Sequence, residues 1–227
     1  MPRKSRPLDR SQGVLRDTNI IVVACEDMYA VKQYFSRFRA RRTQFLVLQT
    51  EDGKSSPGAV IERLHNYRKE YAQEDGDELW VCIDADHWIR GTHQRQLSRV
   101  LQDCQRHRYG VAISNPCFEV WLLLHFTEVG DELLRELLGK EASESISPDE
   151  VASLCCEPFE NQLRKLAGGY RKNRIAVLKL DASQVQQATD RARAGDKTND
   201  RIPKCPGTRV YKLIDALLRR GSIHLDD

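Results

Sequence analysis

The chain has 227 residues, of which 40% are hydrophobic and 30% charged, and its formal net charge is +3. That length can bury a sizeable core as one elaborated domain, or as a domain with a smaller appendage. So small a net charge excludes a polycation that coats DNA. No stretch approaches the ~20 apolar residues of a membrane span, and the basic N-terminus lacks the apolar centre of a signal peptide, so cytoplasmic residence is expected. Seven cysteines with no C-x-x-C signal neither a disulfide framework nor a zinc site, and reduced thiols are expected.

Residues 1–18 are basic and aperiodic and read as a flexible tail. Asn19 to Glu26, NIIVVACE, is a β-branched run ending in an acid and reads as a first buried strand. Residues 28–40 carry Tyr29, Val31, Tyr34, Phe35 and Phe38 at helical spacing, leading to a strand at Gln44 to Leu48. The turn-rich EDGKSSPG precedes a helix from Ala59 to about Gln73, with Pro57 suited to its start. Leu79 to His87, LWVCIDADH, reads as a third buried strand with Asp84 and Asp86 at its carboxyl end. A helix over Gln94 to His107 and a short strand over Tyr109 to Ser114 come next. Asn115 to Phe126, NPCFEVWLLLHF, reads as a strongly apolar helix with Pro116 in its first turn.

From 127 onward the pattern is helical, broken at Gly139 to Pro148. Residues 175–180, IAVLKL, form an edge strand or a loop, residues 183–194 a helix, 195–206 a polar loop, and Thr208 to Arg220 a final helix. The β-α-β-α-β order argues for α/β class: a mostly parallel sheet covered by helices on both faces. Residues 19–126 then form the α/β core, and 127–227 a helical insertion or C-terminal extension packed on it.

In such a sheet the carboxyl ends of the strands line the ligand crevice. Glu26, Asp84 and Asp86 would meet there, and like-charged carboxylates need a cation between them. Oxygen donors suit Mg²⁺ or Mn²⁺ better than zinc. The bland alternative is that one Asp caps the next helix and the other is solvated. Glu119, inside an apolar helix near the same crevice, needs a cation, a partner or a rim position open to water. A divalent ion held by such a cluster suits attack on a phosphodiester. Glu26 would be ligand or general base, and Lys172 or Arg171 would screen the transition state. Basic clusters at Arg3, Lys4, Arg6 and Arg10, at Arg37, Arg39, Arg41 and Arg42, at Arg171, Lys172 and Arg174, and at Arg191, Arg193, Lys197, Arg201 and Lys204 could neutralise phosphates, with Arg39, Arg41, Arg42, Arg171 and Arg174 the chosen nucleic-acid contacts.

These stretches carry a family resemblance. IVVACE with YF at 34–35, LWVCIDADH, ISNPCFEVWLLLHF, GGYRKN at 168–173 and PGTRVYKLIDAL at 206–217 resemble the RloB or AbiLii family of phage-resistance proteins, over about residues 19–219. The resemblance implies a Toprim-like, Rossmann-like fold with its acids at Glu26, Asp84 and Asp86. It further implies Mg²⁺-dependent nuclease chemistry on RNA, such as tRNA, or on DNA, a role in anti-phage defence, and a partner ATPase; a homo-oligomer is compatible with it. The chain departs from the family after its first strand, reading CEDMYAV where members read C-E-G-x-x-T-E. That loss removes a permissive glycine and a candidate second-metal ligand, for which Asp27 could compensate. Two non-catalytic readings stand beside the nuclease: a Toprim scaffold acting through an ATPase, and a receiver-like module using Glu26, Asp27, Asp84 and Ser114.

Overall fold

Alternating burial along three apolar runs sets the architecture. In the first strand, β1 (Asn19–Cys25), Ile21, Val23 and Cys25 enter one hydrophobic cluster, while Ile20, Val22 and Ala24 enter another. The strand is buried on both faces, as a central parallel strand must be. The computed structural model describes residues 3–9, 18–40, 42–50, 53–86, 88–89, 94–221 and 223–225. Arg10, Arg41 and His87 lie outside the described residues.

After β1 the chain forms α1 (Ala30–Phe35), β2 (Phe38–Ala40), β3 (Thr43–Leu48), α2 (Pro57–Glu70), β4 (Glu78–Asp84), α3 (Gln94–His107) and β5 (Gly110–Asn115). The helical part follows as α4 (Glu119–Leu123), α5 (Asp131–Leu138), α6 (Pro148–Ser153), α7 (Cys156–Leu166) and α8 (Ala182–Gly195). The chain closes with β6 (Gly207–Thr208), α9 (Val210–Leu218) and β7 (Ile223–Leu225). Local chemistry accounts for several helix starts. Ser56 accepts the Ala59 N–H ahead of Pro57, and Ser147 with Glu150 and Asp181 with Gln184 form capping boxes for α6 and α8.

The seven strands run in the order β6-β5-β4-β1-β3-β2-β7. The sheet is mixed, which corrects the mostly parallel expectation. The central pairs β1 with β3, β1 with β4, and β4 with β5 are parallel. The outer pairs β2 with β3, β2 with β7, and β5 with β6 are antiparallel. The expected helix over 28–40 stops at Phe35 because the chain turns back at Arg37 into β2. IAVLKL is no edge strand; Ile175–Val177 is a 3-10 turn. The Asn115–Pro116 peptide is cis, and α4 begins three residues beyond Pro116.

Helices α2 and α3 cover the face that carries Ile20, Val22, Val81, Ile83 and Ile113. The helices α1, α4, α5 and α7 to α9 share the other cluster with Ile21, Val23, Trp80 and Cys82. Trp80 lies across Gly110, its strand partner, where any Cβ would fall 2.1 Å from the indole. The N-terminal stretch is tied down at its described end. Arg6 reaches Asp77 at 3.0 Å with both side chains buried, and Lys4 pairs with Tyr71 as a β-bridge. Among the described residues, no helix is long and apolar enough to cross a membrane. All seven cysteines are free thiols.

His125 sits in the centre of the α1–α4 packing. The Tyr34 hydroxyl donates to its Nε2 at 3.0 Å, and its Nδ1 donates to the Trp121 carbonyl at 3.0 Å. That pattern requires a neutral imidazole. Burial pushes its pKa down to about 4, against the pull of the Trp121 and Leu122 carbonyls. A depressed imidazole pKa means that the unfolded chain binds the proton more readily. The stabilisation is therefore complete above the ordinary value near 6.5 and is lost as pH falls towards about 4, on the order of 3 kcal/mol in all. Urea unfolding of wild type against His125→Asn checks this: the variant is expected to be weaker at neutral pH, and the gap between the two to narrow across that window.

Candidate metal centre at the sheet's carboxyl edge

The chain leaves β1 for β3 on one side and then returns to β4 on the other. That reversal opens a crevice outside the carboxyl ends of β1 and β4. Glu26 directly follows β1, Asp84 closes β4, and Glu119 opens α4 just after β5. The register places Cys25 beside Cys82 and Asp84 beside Ser114. The turn carrying Asp86 is fixed to the Asn115–Pro116 corner, since the Ala85 N–H donates to the Ser114 carbonyl at 2.8 Å and the Asp86 N–H to the Pro116 carbonyl at 3.1 Å. Four carboxylates thus come from three neighbouring strand ends.

Three of the four carboxylates are held by a donor from another element. Glu119, only 2% exposed at its side chain, receives the Tyr170 hydroxyl at 2.9 Å and the Lys172 ammonium at 3.3 Å, both on Oε1. Lys172 also reaches Glu160 at 3.1 Å. Glu26 Oε2 accepts from the Trp88 indole at 3.1 Å, and Asp86 Oδ2 accepts from the Cys156 thiol at 3.2 Å. Two oxygens, Glu26 Oε1 and Glu119 Oε2, are buried with no protein donor. Beneath Glu26, Arg63 holds the end of β1 through the Cys25 carbonyl at 2.5 Å and Thr50 Oγ1 at 3.1 Å.

The electrostatics follow from this crowding. Burial pushes Glu26 up to about 8, opposed by the Trp88 hydrogen bond, with Asp86 adding to the rise. Asp84 is held well above the usual carboxylate range by burial and then by the charges of Glu119, Glu26 and Asp86, while Lys172 pulls it down. For Lys172, burial works against its charge, but Glu119 and Glu160 outweigh it and raise the ammonium's pKa. A site that pushes Glu26 and Asp84 towards the neutral form, and whose acids offer oxygen donors, fits a hard divalent ion such as Mg²⁺ or Mn²⁺. Glu26, Asp84, Asp86 and Glu119 are the residues that would hold it.

The expected tight triad is looser than the sequence implied. Among the described residues, the one group of three or more ligand atoms lying within 4.8 Å of one another is His65, Asp103 and His107, which could hold a divalent ion. Glu26, Asp84 and Asp86 share a field without drawing that close. Strand alternation accounts for it. Asp84 continues Trp80 and Cys82 on the α4 side, whereas Glu26, one past Cys25, falls towards α2 and Arg63. Asp27 is engaged elsewhere, because its Oδ1 accepts the N–H groups of Tyr29, Ala30 and Val31 at the start of α1. Asp27 therefore serves the backbone at the start of α1.

The chosen basic residues separate into two places. Arg171 and Arg174 are exposed on the loop that delivers Lys172. Arg39 lies in β2, paired with His224 of β7, and the Arg42 carbonyl accepts the Asn19 N–H at the opposite, amino edge of the central strands. Arg41 is outside the described residues. Sequence reasoning missed Trp88, Cys156, Glu160, Tyr170 and Arg63. For Tyr170 the signal was present: it stands in the same GGYRKN stretch as Lys172.

A family model described as RloB-like protein matches residues 21–217. No curated protein and no solved structure matches the chain.

A carboxyl group whose folded pKa is raised costs stability as pH climbs above its ordinary range. Asp84→Asn removes one such charge. In EDTA at about pH 9 it is expected to raise Tm by about 2–4 °C, the scale of ~1 kcal/mol for a chain of this size. Excess Mg²⁺ should raise Tm of wild type but not of the variant. Scanning fluorimetry in EDTA and in Mg²⁺ reads both, and a lower Tm for the variant in EDTA would contradict the electrostatic account.

Proposed function

The chain belongs to the RloB-like protein family, and from that premise we propose that it is a Toprim-like, Mg²⁺- or Mn²⁺-dependent nuclease. Its substrate would be the phosphodiester backbone of RNA, tRNA included, or of DNA, and its setting cytoplasmic anti-phage defence beside a partner ATPase. The observation that carries this reading is the pair of donor-less buried oxygens, Glu26 Oε1 and Glu119 Oε2, beside Asp84 and Asp86. A buried carboxylate oxygen without a partner is costly unless a cation is its intended partner.

A divalent ion bound there supplies the charge that polarises a phosphoryl oxygen and acidifies an attacking water. The chain's own residues do the rest. Asp84 and Asp86 would hold the ion at the β4 end, and Glu26 would complete the set or take the proton of the attacking water. Trp88 orients Glu26 through its Oε2. Tyr170 and Lys172 fix Glu119, and the Lys172 ammonium, with its charge felt at Asp84, offsets the charge that builds on phosphorus. Arg171 and Arg174, exposed beside it, are placed to take the flanking phosphates.

End-labelled RNA and DNA incubated with the purified protein test this. Cleavage is expected with Mg²⁺ or Mn²⁺ and is abolished by EDTA. Glu26→Gln and Asp84→Asn are each expected to lose at least about 100-fold in rate with unchanged far-UV circular dichroism. If wild type and both variants bind substrate equally and none cuts under any metal or with the ATPase present, the nuclease reading is lost. A binding module that acts through the ATPase then takes its place.

A further inference from the structure

A second cluster of metal-ligating side chains lies outside the acidic crevice. His65 on α2 meets Asp103 and His107 on α3, and the latter two are one turn apart on the same face. His65 Nε2 is 3.1 Å from Asp103 Oδ2, and His107 Nδ1 is 3.5 Å from Asp103 Oδ1. Because α3 ends just before β5 begins, this group sits at the amino edge of the central strands, the far end of the sheet from Glu26 and Asp84.

We propose that His65, Asp103 and His107 form a zinc-type transition-metal site that clamps α2 to α3, with its remaining position open to solvent. Three observations carry this. The donors are two imidazoles and one carboxylate, a set that suits Zn²⁺ and not Mg²⁺. Ligand atoms at the corners of a tetrahedron with zinc bond lengths lie about 3.3 Å apart; His65 Nε2 and Asp103 Oδ2 are 3.1 Å apart, and one ligand atom from each of the three residues lies within 4.8 Å of the others. The supporting shell is in place as well. The Tyr109 hydroxyl is 3.2 Å from His65 Nδ1 and the Asp103 carbonyl is 3.0 Å from His107 Nδ1, which leaves Nε2 of each imidazole as its ligand nitrogen. The cleft beside the cluster is lined by His65, His107 and Glu62 together with Arg3, Arg68 and Lys69, so an ion has a route in past basic side chains and a further oxygen donor within the same cleft. Arg106, also on Asp103 at 3.1 Å, is largely exposed and free to swing away.

The test uses the full-length protein, stripped with EDTA and kept reduced, and does not depend on nuclease activity. Titration with ZnCl₂ is expected to show one site that excess Mg²⁺ does not displace, together with a rise in Tm. His65→Asn and His107→Gln should each weaken that site at least about tenfold. His107 ends a helix at a partly exposed position, so its variant also serves as the fold control, with metal-free Tm as the check. Substitution by Co²⁺ should give tetrahedral visible bands without a thiolate charge-transfer band. No zinc binding at micromolar concentration, binding unchanged in both variants, or a thiolate band pointing to Cys155 or Cys156 would each overturn the proposal and leave the cluster as a hydrogen-bonded ion network.

Discussion

The repulsion among Glu26, Asp84, Asp86 and Glu119 is the constraint to which the rest of this fold answers. Two unit charges about 6 Å apart at an effective dielectric near 20 interact by about 3 kcal/mol, a large fraction of the net stability of many domains. Strand order brings the acids together, because a reversal between β1 and β4 leaves both strand ends facing one crevice. Something must then supply protons or positive charge. The raised pKa values of Glu26 and Asp84 are the proton answer, and Lys172 is the cation the chain itself provides.

That answer explains why the helical part of the chain matters to the strand ends. Tyr170, Lys172 and Glu160 all come from the segment between α6 and α8, and they reach a glutamate on α4. Leu154, Phe159, Leu163, Ile175 and Leu178 from the same segment share a hydrophobic cluster with Ile21, Val23 and Cys82 of the sheet. Docking of the segment and neutralisation of Glu119 are therefore one event. Loss of Tyr170 or Lys172 acts on the acidic crevice without touching a strand. Two of the stretches that carry the resemblance, SNPCFEVWLLLHF and GGYRKN, meet at this contact.

Much of this was legible in the residues. NIIVVAC and LWVCID are apolar runs too short for helices and too uniform for a half-exposed strand, so β1 and β4, and with them the placement of Glu26 and Asp84, could be read directly. The edges could not. FRA, GT and IHL are two or three residues long with no period to detect, and they are the strands that make the sheet mixed. Asp27 looked like a spare ligand because a lone acid after a strand carries no sign that the next helix will take it as a cap. The spread of the three acids was hidden for a related reason: residue spacing fixes which strand end carries a side chain, but the side to which it turns depends on where the strand stops. Glu26 stands one residue past the last paired position of β1, and that single step sends it towards Arg63.

Arg63 and His65 connect the two ends of the sheet through one helix. α2 carries both, and its first turn is fixed by Ser56 and Pro57. Arg63 reaches from it to the carboxyl end of β1, where three hydrogen bonds hold Lys54, Cys25 and Thr50 in register. Two residues on, His65 ties the same helix to Asp103 of α3. A shift of α2 along the sheet would move the Cys25 carbonyl, and Glu26 with it, so whatever fixes α2 against α3 also fixes the acid that completes the crevice. The side chains at the two ends differ in kind, carboxylates at one and two imidazoles with a carboxylate at the other, and the helix between them carries position from one to the other.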